Sequence, residues 1–178
     1  MVLWLNELCY TRWKGVEMEI FKEVVILLVE DDPGDQKLVV SALNHEKIGN
    51  QLLVMPSGEK AWRYLLRSKE GDEACPVPDL ILLDLNMPGM GGQEFLKLLK
   101  SDDELSAIPV VILTTSDSDK DIIESFKLQA SGYIKKPGSL PEFQEIMHNV
   151  ADYWFVICKR VNHENEYDKR DNMCSVSR

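Results

Sequence analysis

From Val24 onward the chain alternates two apolar patterns. One is a short unbroken run, as in VVILLV at 24–29. The other spaces apolar residues three and four apart, as in Leu38, Val39, Ala42 and Leu43. Continuous β-branched runs predict strands covered on both faces. The spaced pattern predicts amphipathic helices. Strands are expected at 24–29, 51–55, 79–84 and 109–114, with a short fifth at Tyr133 and Ile134. Helix starts follow each. Asp32 offers an N-cap and Pro33 a first helical residue. Ser57 opens a helix with Ala61, Trp62, Leu65 and Leu66 on one stripe. Helices are also expected at 92–101, with Phe95, Leu98 and Leu99, and at 119–129, with Ile122, Ile123 and Phe126. Ser139-Leu140-Pro141-Glu142 has the form of a capping box opening a last helix that runs to about 161.

Five strand–helix units predict an α/β fold. Parallel strands need crossovers, and right-handed crossovers put helices on both faces of one sheet. The expected architecture is a doubly wound five-stranded parallel sheet, flavodoxin-like, in the order 2-1-3-4-5. It should span 24–161, after an N-terminal extension at 1–23 that fits none of these units. The remaining 162–178 read as a flexible tail, too short for a DNA-binding domain, so output is expected through protein contacts.

Charge narrows the partners. With 30 Asp and Glu against 20 Lys and Arg, the 178-residue chain has a net charge of -10. That sign disfavours direct nucleic-acid binding. No apolar run approaches the ~20 residues of a membrane helix, and no signal peptide is apparent. Cys9, Cys75, Cys158 and Cys174 are too widely spaced for a CxxC site and suit free thiols in the cytoplasm.

In such sheets the site lies beyond the carboxyl ends of the strands. The first strand ends in Glu30-Asp31-Asp32, the third in Asp84, the fourth in Thr114-Thr115-Ser116, and the fifth runs into Lys135-Lys136-Pro137. A buried run that stops on a carboxylate, as LILLD does at Asp84, is costly unless something pairs with the charge. Clustered carboxylates repel, and a hard divalent cation removes the conflict. Mg²⁺ suits one or two carboxylates plus phosphate oxygens. Asp31 and Asp84 can be direct ligands, Glu30 can hold a metal-bound water, and the backbone carbonyl at Asn86 can complete the set. Carboxylates also form aspartyl phosphates. Asp84 is then the phospho-acceptor, with Lys136 as a charge and Thr114 as a hydroxyl donor to the phosphoryl group.

These residues and their order resemble the response-regulator receiver domain of two-component systems. The likeness rests on Glu30-Asp31, LLDLNMPGMGG around Asp84, LTT at Thr114, and GYIKKP holding Tyr133 and Lys136. It implies that Asp84 accepts the phosphoryl group, that Asp31 binds Mg²⁺, that Thr114 and Lys136 contact phosphate, and that Tyr133 turns on activation. It further implies a cis Lys136–Pro137 bond. Gly91 departs from the family, where an acidic residue is common, and Glu30 replaces the usual first aspartate. Within the family the chain is most similar to stand-alone regulators that pair with phytochrome-type kinases. The partners so implied are a sensor histidine kinase and a downstream protein target or phosphotransfer protein.

Three other readings are weaker. A phosphate carrier within a phosphorelay uses the same residues. An aspartyl-phosphate phosphatase needs a second carboxylate two positions after the nucleophile, where Asn86 stands, so no enzyme is expected. A flavin carrier needs a hydroxyl- and glycine-rich loop where Glu30-Asp31-Asp32 would repel phosphate. The last helix adds one expectation. Phe143, Ile146, Met147, Val150, Trp154, Ile157 and Val161 form its sheet-facing stripe, which leaves Tyr153, Phe155 and Val156 partly outside. Tyr153, Trp154 and Phe155 are therefore candidates for a homodimer interface.

Overall fold

A computed structural model describes residues 3–5, 8–13, 16–20, 24–44, 50–115 and 118–157. The extension contains an element that the apolar pattern did not reveal. β1 (Leu3–Leu5), β2 (Leu8–Trp13) and β3 (Val16–Ile20) form an antiparallel three-stranded sheet. Leu3 pairs with Tyr10, and Tyr10 with Glu19.

The second sheet is the expected one. β4 (Val24–Val29), β5 (Asn50–Met55), β6 (Leu80–Leu83), β7 (Val110–Thr114) and β8 (Gly132–Lys135) run parallel in the order β5-β4-β6-β7-β8. Counted within this sheet, that is 2-1-3-4-5. The helices are α1 (Pro33–Asn44), α2 (Gly58–Lys69), α3 (Gly92–Ser101), α4 (Asp119–Lys127) and α5 (Leu140–Ala151).

Strand alternation explains why the runs are apolar throughout. In β4, Val24, Ile26 and Leu28 pack into one layer with Val39, Ala42 and Leu43 of α1 and Phe143 and Met147 of α5. Leu27 and Val29 enter the opposite layer with Ala61, Leu65, Phe95, Leu96 and Leu99 of α2 and α3. Successive side chains point to opposite faces, and both faces are dry. Each fully buried leucine or isoleucine contributes about 1.5–3 kcal/mol.

Three local expectations are corrected. Ser139 sits at the N-cap of α5, but its side chain makes no capping hydrogen bond. Pro141, at the second helical position, has no amide to donate, so half the usual donors are gone. The last helix does not continue as one α-helix to 161: α5 stops at Ala151, and Asp152–Ile157 form a π-helical segment. The wider turn rotates the following positions off the α-helical stripe, and 158–161 lie outside the described residues. The Lys136–Pro137 bond is trans, since no cis peptide occurs among the described residues. The two X–Pro isomers differ by only about 0.5–1 kcal/mol in intrinsic preference, so sequence alone does not select one.

The loop from β6 to α3 depends on its glycines. Gly89 has φ 74°, a left-handed conformation that glycine adopts without strain. Gly92 lies against the Asp84 carbonyl so closely that a Cβ would overlap it. Gly91 has room: a Cβ there would be 3.7 Å from the Leu85 carbonyl oxygen. That space would accept the acidic side chain common at this position in the family. Gly92→Ala is expected to destabilise by about 2 kcal/mol through overpacking. Gly91→Asp, at the N-cap of α3, should add a few tenths of a kcal/mol, about what a capping side chain gains over glycine. Urea denaturation of the two variants checks both, and a Gly92→Ala protein as stable as the parent contradicts the close approach.

Candidate functional site

The parallel ladder extends one step past the strand ends and fixes the site residues. Glu30 N donates to Met55 O at 3.0 Å, Asp84 N to Val29 O at 3.0 Å, and Lys136 N to Thr114 O at 2.8 Å. Glu30, Asp84 and Thr114 are buried. Asp31, partly buried, joins Glu30 and Asp84 in a group whose ligand oxygens lie within 4.8 Å of one another.

Asp32 caps α1, while Asp31 takes no part in that cap. Asp32 Oδ1 accepts from Gly34 N at 2.8 Å and Asp35 N at 2.9 Å. Both Glu30 oxygens are engaged, Oε1 by Asp32 N at 3.1 Å and Oε2 by Lys136 Nζ at 2.6 Å. Lys136 Nζ also donates to Asp35 Oδ2 at 2.7 Å and lies 3.7 Å from Asp84 Oδ1. Asp84 is bonded through its other oxygen's surroundings: the Thr114 hydroxyl and the amides of Leu85 and Asn86 favour its carboxylate. Its Oδ1 has no hydrogen-bond partner among the described residues. The exposed Asn86 contributes through its side chain, Nδ2 donating to Thr114 Oγ1 at 3.1 Å. Tyr133 is half-buried against the α2–α3 layer.

Burial pushes the Asp84 carboxyl above its usual range, and the nearby Lys136 charge only partly offsets this. Burial raises Glu30 likewise, against its bond and attraction to Lys136. For Lys136 burial acts downward, but the hydrogen bonds to Asp35 and Glu30 and the charges of Glu30 and Asp84 outweigh it, so the ammonium is retained. A buried carboxylate oxygen without a hydrogen bond, beside two further carboxylates, fits a hard divalent cation.

The fold brings Glu30, Asp31, Asp84, Asn86, Thr114 and Lys136 together. Two residues were missed. Asp35 holds Lys136, although its place in the first turn of α1 was legible from the N-cap pattern. Glu59 of α2 accepts from Met90 N at 2.8 Å through Oε1, pinning the loop after Asp84. Among the proposed interface residues, Tyr153 is exposed and packs edge-on against Trp154, with ring centroids 5.3 Å apart. Trp154 itself packs on the α1–α5 layer, and the Phe155 side chain lies outside the described residues.

The sheet order and the acid-and-lysine cluster together define a flavodoxin-like α/β protein with its site at the strand ends. The family described as response regulator receiver domain matches residues 26–148. The response regulator Rcp1 of Synechocystis is 37% identical over 130 residues, 73% of this chain and 88% of that protein. The phosphorylated cyanobacterial phytochrome response regulator RcpA superposes with a TM-score of 0.73 at 35% identity, covering 79% of this chain and 99% of that one. An Mn²⁺-bound form of Rcp1 gives 0.71 at 35% identity, over 78% and 99% of the two chains. The chain belongs to the response regulator receiver domain family.

The strained electrostatics of Asp84 are measurable. A carboxylate whose folded pKa lies above its unfolded value gives stability that is full below the unfolded value and lost as pH rises through the folded one. In cation-free buffer at pH 7, Asp84→Asn should therefore be more stable than the parent, on the order of 1–3 kcal/mol. The advantage should fade toward the ordinary aspartate value of 3.8. Thermal melts across pH test this, and a less stable Asp84→Asn at pH 7 would contradict it.

Proposed function

We propose that the protein is a signalling switch that accepts a phosphoryl group on Asp84 from a sensor histidine kinase. The observation that carries this reading is the Asp84 Oδ1 atom. It is buried at a strand end, makes no hydrogen bond, and faces an ammonium 3.7 Å away. In the transfer, a carboxylate oxygen of Asp84 attacks phosphorus, the O–P bond forms as the kinase's P–N bond breaks, and the imidazole nitrogen keeps the electron pair. Asp31 and Asp84 would hold Mg²⁺ directly, with the Asn86 carbonyl, and Glu30 would hold a metal-bound water, since both its oxygens already accept hydrogen bonds. Bound there, the cation offsets the charge on the phosphoryl oxygens.

Thr114 and Lys136 are the groups positioned to sense the product. A phosphoryl group offers three strong acceptor oxygens, enough to draw the Thr114 hydroxyl from its present bonds and to open space for Tyr133 to turn inward. The resemblance to Rcp1 and RcpA supports a phytochrome-type kinase as the donor, the cytoplasm as the compartment, and a receiver unit bounded near 24 and 161. With Asn86 two positions after the acceptor, no second carboxylate stands where a phosphatase would need its acid–base, which supports a signalling rather than an enzymatic role. The output is a change in protein contacts. Ile123 and Phe126 of α4 and Tyr153, in the segment after α5, are 54%, 51% and 53% exposed. Large apolar groups left this exposed suit a C₂ homodimer that phosphorylation tunes.

Two measurements test this reading. With Mg²⁺ and a small phosphodonor, intact mass should show one phosphoryl adduct that is absent in Asp84→Asn; an adduct that persists in that variant sinks the acceptor assignment. Light scattering should show a dimer that Phe126→Glu and Tyr153→Glu disrupt, and a monomer at every concentration, phosphorylated or not, rules the dimer out.

A further inference from the structure

Lys136 has three ammonium protons to place. Two are used on Glu30 Oε2 at 2.6 Å and Asp35 Oδ2 at 2.7 Å. Asp84 Oδ1, at 3.7 Å, is beyond hydrogen-bonding distance. The ammonium is thus drawn toward the first turn of α1 and away from Asp84. That turn is well anchored. Asp32 Oδ1 accepts from the Asp35 amide, and Gln36 Nε2 donates to Glu30 O at 2.7 Å, so the start of α1 is tied to the end of β4. Asp35 reaches Lys136 across 101 positions of sequence.

We propose that Asp35 is a positioning residue that holds the Lys136 ammonium off Asp84 until a phosphoryl group there outcompetes it. The inference rests on the reading of Asp84 as acceptor. A phosphoryl group places more charge and three acceptor oxygens on the carboxylate that Lys136 does not now reach. Lysine is a compact charge on a flexible stem, so Lys136 can pivot from Asp35 Oδ2 to the phosphoryl group while keeping Glu30. The pivot breaks the Asp35 bond, and Asp35, whose side chain is 31% exposed, returns to water. Asp35 therefore raises the free energy of the phosphorylated arrangement relative to the resting one. Its position in the first turn also favours α1 through the helix dipole. That second role is purely structural, and the test must separate the two.

Beryllofluoride, a tetrahedral mimic of the phosphoryl group, is titrated calorimetrically at saturating Mg²⁺. The proteins are the parent, Asp35→Asn, Asp35→Glu, Lys136→Ala and the double variant Asp35→Asn/Lys136→Ala, with Asp84→Asn as the blank. Asp35→Asn should bind about tenfold more tightly, the scale of one charge-assisted hydrogen bond no longer forfeited. Asp35→Glu, which keeps the charge, should return toward the parent. In the Lys136→Ala background Asp35→Asn should change nothing. Equal tightening with and without Lys136 would mean that Asp35 only repels the anion from a distance, and it overturns the proposal. Unchanged or weaker binding by Asp35→Asn overturns it too. If Asp35→Asn does not fold, Asp35→Ser serves in both backgrounds. A parent with no Asp84-dependent binding is a different result: it removes the acceptor reading, and this inference with it.

Discussion

One ammonium holds the carboxyl ends of the sheet together. Lys136, with its side chain only 10% exposed, sits among Glu30, Asp35 and Asp84. Neither side of this cluster is tenable alone. Three carboxylates at such spacing would repel and take up protons, and a lysine so nearly buried would lose its charge without partners. Breaking a buried pair from one side leaves the other uncompensated, which is why such clusters respond to a single added or removed charge. The bond from Lys136 to Glu30 also joins residues 106 positions apart, the end of β4 and the segment after β8. One contact therefore ties the carboxyl end of β4 to that of β8, across two intervening strands.

The fold was legible because its signals are local and repeated. The run VVILLV needs no partner to announce a strand covered twice, and the alternation of such runs with spaced stripes on α1 to α5 leaves few topologies. The acidic and basic strand ends were legible for a related reason: a charge at the end of a buried run has no structural explanation within its own segment. What escaped depends on side-chain direction over long separations. Asp35 looks like an ordinary first-turn acid until Lys136 is placed beside it. Glu59 looks like surface charge until the loop at Met90 folds under it. Ser139 matched a capping pattern, yet Pro141 had removed a donor. The sheet of β1, β2 and β3 was missed because its stretch of sequence lacks the unbroken apolar runs that marked the others.

The loop after Asp84 shows how little freedom the surroundings of that carboxylate have. Glu59 accepts from Met90, Gly89 occupies a left-handed conformation beside the same carboxylate, and Gly92 lets α3 begin directly against the Asp84 carbonyl. Two helices, α2 and α3, are in this way keyed to one strand end. Lys69 of α2 bonds Asp102, just past the end of α3, at 3.0 and 3.1 Å, which ties their far ends as well. A clamp at both ends makes this side of the molecule a rigid reference, against which movement on the α4–β8–α5 side would register.

The short strand β8 lies at one margin of the five-stranded sheet. Such a margin presents backbone donors and acceptors that could recruit a foreign strand. Here it spans only four residues, ends on the exposed Lys135, and is followed by Lys136 and Pro137. A proline has no amide to offer, and lysine charges discourage stacking of like edges. Runaway sheet growth, amyloid-like or otherwise, has little purchase at this border.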